Sequence, residues 1–159
     1  MTVPVADGSL DVAAVATDVA LLLANPPTMA VSTTGLNSFL TATETKWTAT
    51  PYPPDQLRPF QAWFRLESIE YAETVSMSFG ESRVLIRAIA VLQFERRDPA
   101  HTWSQMARFL STDAVQKLLT TTLATSGAEC VCDSADVAAP ETAPDGSYAR
   151  LEYALEIRT

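Results

Sequence analysis

Few side chains in this sequence have the chemistry of a catalytic or metal-binding centre. The single histidine, His101, follows Asp98-Pro99, where a helix is expected to begin, and this position favours a solvated surface residue over a general base. Cys130 and Cys132 lack the spacing of a zinc site, and no second Cys/His pair completes one. Both cysteines are predicted to be reduced, half-buried thiols on one strand face. These residues predict neither a metal site nor a nucleophile.

The carboxylates are numerous, but their spacing predicts solvated charges. Glu67, Glu70 and Glu73 fall near one strand end, and Glu152 and Glu156 fall on one strand face. Paired carboxylates act in catalysis only where their surroundings drive their pKa values apart, which polar strand faces do not do. The five glycines stand singly at expected turns, so there is no phosphate-binding loop, and hydrolase, metalloprotease and EF-hand motifs are absent. The prediction is therefore a non-enzyme without a cofactor.

The charge balance argues against a general nucleic-acid binder. Nineteen Asp and Glu residues oppose eleven Lys and Arg residues, a formal charge of −8. Phosphate binding needs clustered cations, and the only adjacent pair here is Arg96-Arg97. The hydrophobic fraction of 47% and the length of 159 residues fit one globular domain, residues 1–159. No signal peptide or membrane span is recognised, so we expect synthesis in the cytoplasm and no membrane contact.

Apolar periodicity predicts the elements that position these side chains. Residues 12–23 have helical spacing, with Ser9 or Asp11 as the N-cap and Pro26-Pro27 as the stop. Two further helices are predicted, one starting at Asp98-Pro99 and a short one after Asp113. The expected packed side of the first of these carries Trp103, Met106, Ala107 and Leu110.

Four strands are predicted, at residues 60–71, 83–95, 129–137 and 149–158. The second is apolar on both faces for most of its length, as expected of a central strand covered on both sides. In the first strand, Trp63, Ile69 and Tyr71 are predicted to share the face opposite Phe64. The predicted fold class is α+β: an antiparallel or mixed β-sheet of about four strands with helices packed on one face.

The segment 28–59, rich in Ser, Thr and Pro, is predicted to be an extended arm or a long loop. Its apolar residues Phe39, Leu40 and Trp47 are costly to leave in water, so a neighbouring subunit is expected to bury them. Trp63 and Tyr71 are further interface candidates, because aromatic residues are enriched at interfaces, although filling the core is the alternative. Deleting residues 30–50 is then expected to leave a folded monomer that no longer assembles.

The element order resembles that of the tail-terminator subunits of long-tailed phages, the lambda-type family. The likeness lies in Ser82 to Phe94, in Asp98-Pro99 with its helix, and in Asp145 to Ile157, and it covers residues 10–25 and 60–159. The resemblance implies a structural virion subunit in the tail or neck. Such subunits form a ring, typically of six copies, at the end of the tail tube, where they stop tube growth and join the tail to the head connector. The family implies no catalytic residues.

The partners that the resemblance implies are other copies of the chain, the tail tube protein and the head–tail connector proteins. DNA would pass through the lumen without specific binding. Three alternatives stay open: a tail-completion or head–tail connector protein, a non-viral soluble oligomeric α+β binding domain, and a small ligand-binding or enzymatic domain using Glu and Arg residues in a cleft. Mass in solution separates them, because a monomer with a deep pocket favours the last.

Overall fold

One mixed six-stranded sheet and three α-helices form the structure, a computed structural model that describes residues 11–24, 35–39, 47–72, 83–95, 99–138 and 149–158. The helices are α1 Val12–Leu23, α2 Pro99–Leu110 and α3 Ala114–Leu119, and a 3-10 helix spans Gly35–Phe39. The strands are β1 Thr48–Thr50, β2 Gln61–Ala72, β3 Arg83–Gln93, β4 Thr121–Thr122, β5 Glu129–Ala138 and β6 Arg150–Arg158.

The strand order is β1-β2-β3-β6-β5-β4. β1 runs parallel to β2, and every other neighbouring pair is antiparallel. The expected α+β class and mixed sheet are confirmed. The four expected strands correspond to β2, β3, β5 and β6, and the structure adds β1 and β4 at the two edges. Strands of three and two residues are too short to produce a periodic pattern in the sequence.

α1 has the bounds that its periodicity predicted, and two aspartates fix it. The Asp11 carboxylate accepts hydrogen bonds from the amides of Ala13 and Ala14 at 3.1 and 3.3 Å, so Asp11 is the N-cap. Asp18 is buried and accepts from the Thr125 amide at 3.1 Å and from the Ser126 amide and hydroxyl at 3.0 and 3.2 Å. Asp18 thereby ties α1 to the turn between β4 and β5, and the three donors satisfy one oxygen of its buried carboxyl group.

The core lies between the helices and one face of the sheet. β6 alternates along its whole length, with Leu151, Tyr153, Leu155 and Ile157 buried. The β3 residues that pair with these buried residues of β6 are also buried. On the opposite face of β3, Leu85 and Ile89 are only partly buried and Arg87 is exposed. Burial of β3 on both faces therefore holds only near Val91, because no helix among the described residues covers the second face.

Ile86 tests the core assignment of β3. Its side chain is fully buried and lies opposite Ile157 of β6. We expect Ile86→Ala to lower the free energy of unfolding by about 2–5 kcal/mol, because the deletion leaves a cavity in the core. Urea denaturation monitored by circular dichroism measures the loss. Leu85→Ala is the matched control on the adjacent, partly buried position, and an equal loss in both variants would contradict the assignment.

A β-bulge in β2 changes which side chains share a face of that strand from those predicted. The register with β3 shifts between Leu66 and Ser68, so Glu67 is an extra residue. Trp63 lies on the face away from the helices, but after the bulge Ile69 and Tyr71 pair with core-face positions of β3. The prediction that Trp63, Ile69 and Tyr71 share one face was wrong, because an inserted residue reverses the alternation.

α2 also packs on a different side from the one predicted. Met106 and Phe109 are buried together with the polar residues Thr102 and Gln105. Trp103 is 59% exposed, and Leu110 is also exposed. The Thr102 hydroxyl donates to the Glu95 carbonyl at 3.2 Å, which lets a polar residue occupy the packed side.

The described parts of the 28–59 segment belong to the folded domain rather than to an arm. Leu36 is buried, and Trp47 is 1% exposed, with its ring against Phe60, Phe94 and Phe109 at centroid distances of 5.4, 5.2 and 5.7 Å. The Asn37 side chain accepts from the Trp47 amide at 2.6 Å and donates to its carbonyl at 3.3 Å. These hydrogen bonds hold the 3-10 helix beside β1.

Gly35 allows the 3-10 helix to approach the end of α1. Its φ is +61°, a conformation that costs glycine little. A Cβ at this position would collide with the Leu23 carbonyl oxygen and lie 2.6 Å from that of Leu22. The close contact of the two backbones therefore requires glycine.

Candidate functional site

The first candidate surface is the outer edge of β2. β1 pairs only with Gln61 to Trp63, and Pro51, which has no amide to donate, follows the last residue of β1 directly. Along the rest of β2, residues 64–72, no other described strand lies on this side. Leu66 is 42% exposed and Tyr71 is 75% exposed at this edge. The β2 edge thus combines open backbone hydrogen-bonding groups with exposed apolar side chains.

The second candidate surface is the outer edge of β5. β4 pairs only with Glu129 and Cys130. Beyond them the Cys132 amide donates to the Thr120 hydroxyl at 3.2 Å, and the described part of the chain provides no strand partner for the remainder of this edge. Val131 and Val137 are exposed here. A β-bulge at Asp133, like that at Glu67 in β2, shifts the register with β6.

The two open edges have opposite strand directions. β2, β3, β6 and β5 are joined by three successive antiparallel pairings, so β5 runs opposite to β2. A second copy displaced along the sheet would therefore bring its β2 antiparallel to β5 of the first, with the helices on the same side. Such a contact is head to tail, and it forms a ring if the rotation between copies closes. The open stretches, 64–72 and 131–138, are similar in length.

The face of the sheet opposite the helices carries a ladder of ion pairs. Arg65 of β2 reaches across β3 to Glu152 of β6, with an Nη1–Oε2 distance of 3.0 Å. Arg87 contacts Glu156 and Glu70, each at 3.4 Å. The carboxylates predicted to be solvated charges are thus paired with arginines where the structure describes them, and Glu73 lies outside the described residues. Exposed pairs of this kind contribute at most about 1 kcal/mol each, so their main effect is on the surface charge.

Trp63 is buried at one end of this face. The Arg150 guanidinium lies 5.2 Å from the centre of the Trp63 ring, within cation–π distance. The Arg150 Nε donates to the Gln93 side-chain oxygen at 3.0 Å, and the Gln93 amide donates to the Arg58 carbonyl at 2.8 Å. The loop before β2 and the first residue of β6 therefore cover this end of the face.

The structure places the five residues predicted to form a subunit interface in different environments. Tyr71 lies on the open β2 edge and is accessible to a partner. Trp47 and Trp63 are buried inside the chain's own fold, so their side chains are not available to a neighbouring subunit. Phe39 ends the 3-10 helix, and its side chain and all of Leu40 lie outside the described residues. Leu66, Val131 and Val137, which are exposed at the open edges, were not among the predicted residues, because sequence alone does not show which strands lie at an edge.

The two thiols are free and buried more deeply than predicted. Burial is the main cause that raises the pKa of Cys130 to about 12 and that of Cys132 to about 11, with a smaller contribution to both from the Asp133 carboxylate. Both thiols are therefore protonated at neutral pH, and a protonated thiol is a weak nucleophile and metal ligand. Their position on the core face indicates a packing role.

His101 is partly exposed, and its Nε2 lies 3.7 Å from the Glu95 carboxylate. No cluster of three or more His, Cys, Asp or Glu residues that could hold a metal ion occurs in the described ranges. None of the described helices is long and apolar enough to cross a bilayer.

No protein-family model matches the sequence, and no curated protein matches it significantly.

Proposed function

We propose that this chain is a structural subunit that assembles with copies of itself through its sheet edges into a closed ring. The ring is proposed to be the tail terminator of a phage-like particle, where it stops growth of the tail tube and joins the tail to the head connector. The observation that carries the proposal is the opposite direction of the open β2 and β5 edges. Each edge also exposes apolar side chains, which a neighbouring copy would remove from water.

Continuation of the sheet from one copy to the next favours a ring over a dimer. The β5 edge of one copy and the β2 edge of the next are different surfaces, so the contact is heterologous and repeats until the ring closes. A two-fold contact between two β5 edges would instead leave the open β2 edge of each copy without a strand partner.

The charge distribution supports a passage for DNA without adhesion. The chain has a formal charge of −8, and the arginines at positions 65 and 87 on the face opposite the helices contact carboxylates. Arginines paired in this way are less available to phosphates, and an acidic surface repels DNA. The same excess of carboxylates opposes assembly at low salt, because carboxylates lie at both open edges. They are Glu67 and Glu70 at the β2 edge and Asp133 and Asp136 at the β5 edge.

Measurement of mass in solution tests this proposal. Light scattering is expected to show a single oligomer, six copies of the 17.2 kDa chain in the family-type ring, and electron microscopy is expected to show a closed ring. Because salt screens the edge carboxylates, the oligomer is expected to gain stability between low and high ionic strength. A protein that remains monomeric at all salt concentrations, alone and with tail tubes, would contradict the proposal.

A further inference from the structure

A cavity of about 350 Å³ opens beside β5, between that strand and the junction of α2 and α3. Its size falls within the range of small-ligand pockets, about 300–1,000 Å³. Its apolar walls include Phe109 and Leu110 at the end of α2. Cys132 and Tyr153 add neutral polar atoms, and Asp113 and Asp133 add carboxylates.

Tyr153 places a polar group at the wall of this cavity. Its side chain is 4% exposed, and none of the described residues forms a hydrogen bond with its hydroxyl. Burial and the nearby Cys132 thiol raise the pKa of Tyr153 to about 12, so the hydroxyl is neutral at physiological pH. The hydroxyl oxygen is not among the fully buried, unpaired atoms of the described residues, so it is open to the cavity that Tyr153 lines, and a ligand there can form a hydrogen bond with it.

The residues that line the cavity determine which charge a ligand there can carry. The lining contains no lysine, arginine or histidine, so an anion such as a phosphate or a carboxylate would find no counter-charge. The Asp113 carboxylate lies 3.0 Å from the Lys117 ammonium, but no described cation pairs with the carboxylate of Asp133. Asp133 is the residue inserted by the bulge in β5, and this irregularity places it at the cavity.

We propose that this cavity binds an organic cation: an ammonium or guanidinium group on an apolar stem. The stem packs against Phe109 and Leu110, and the cationic group donates hydrogen bonds to the Asp133 carboxylate and the Tyr153 hydroxyl. A free small amine and a lysine or arginine side chain of a second copy both have this chemistry. The proposal does not depend on the ring, since the cavity is formed within one chain.

Isothermal titration calorimetry with three probes of similar shape tests the charge preference. Benzylamine is expected to bind on the order of tenfold more tightly than benzyl alcohol, because it adds a charge-assisted hydrogen bond. Benzoate is expected to show no binding. Equal affinities for the three probes, or no binding of benzylamine at millimolar concentration, would overturn the proposal.

Asp133→Asn tests the site, with Asp136→Asn as the matched control. Both substitutions remove one carboxylate from the same strand, but Asp136 does not line the cavity. Benzylamine affinity is expected to fall about tenfold in Asp133→Asn and less than twofold in Asp136→Asn. Equal losses would show that only net charge attracts the amine and would reject the site.

The oligomeric mass of the same variants identifies the source of the cation. If the cavity receives a lysine or arginine of a second copy, Asp133→Asn also lowers the oligomeric mass, whereas Asp136→Asn does not. If the cation is a free amine, both variants keep the wild-type mass and only the affinity for benzylamine changes.

Discussion

Replacement of Tyr71 with lysine is expected to prevent assembly while leaving the folded chain intact. Tyr71 is 75% exposed in the single chain, so the substitution should change the free energy of unfolding by no more than about 0.5 kcal/mol. In the proposed contact its ring is buried against β5 of the next copy, where an aromatic hot-spot residue contributes about 2 kcal/mol or more. A lysine at a strand edge also opposes strand pairing. The dissociation constant of each contact should therefore rise about 30-fold.

Trp103→Lys is the control for Tyr71→Lys. Trp103 is also a large, exposed aromatic residue, but it lies on α2 rather than on β2 or β5. Sedimentation velocity of both variants at equal concentrations should show monomers for Tyr71→Lys and wild-type oligomers for Trp103→Lys. Wild-type oligomers for Tyr71→Lys together with monomers for Trp103→Lys would show that the interface lies on α2 and would contradict the proposed contact at the β2 edge.

Trp47→Ala is expected to produce the largest loss of stability of any single change considered. The indole ring is in edge-to-face contact with Phe60, Phe94 and Phe109, and it is buried where β1 meets α2. Truncation of a buried tryptophan to alanine costs about 3–5 kcal/mol, a large part of the stability of a domain of this size. Thermal and urea denaturation measure this loss, and partial unfolding at 25 °C is an expected outcome.

Trp47→Phe separates the contribution of the ring from that of the indole N–H. No described residue accepts a hydrogen bond from the Trp47 Nε1, which is buried. Phenylalanine removes this unpaired donor and keeps an aromatic ring against the same neighbours, so it should destabilise the fold much less than alanine. If phenylalanine is as destabilising as alanine, the N–H has a partner and the packing account of Trp47 is wrong.

The position of Trp47 also changes the expected effect of deleting residues 30–50. The sequence predicted a folded monomer without its arm. The deletion would remove Leu36 and Trp47 from the core, the Asn37 hydrogen bonds to Trp47, and the whole of β1. Loss of assembly in that variant would therefore accompany loss of the fold, and only single substitutions such as Tyr71→Lys can test the interface.

The local sequence pattern alone determined those helices and strands whose apolar periodicity and capping residues lie within one short stretch of chain. α1 has the predicted bounds, Val12–Leu23, because its apolar spacing and the Asp11 cap act over one stretch of chain. The alternation of β6 was predicted residue by residue for the same reason. The absence of a recognisable catalytic motif was likewise a property of residue types and spacing.

Tertiary structure decided the features on which the proposed assembly and the proposed ligand binding depend. The bulges at Glu67 and Asp133 reverse strand faces without any mark in the apolar pattern, because they arise from pairing with a neighbouring strand. Trp47 is a core residue rather than an interface residue because Phe94 and Phe109, far away in sequence, surround it. The open edges of β2 and β5 exist because β1 and β4 are short, and strand order depends on contacts between segments that no local sequence signal encodes.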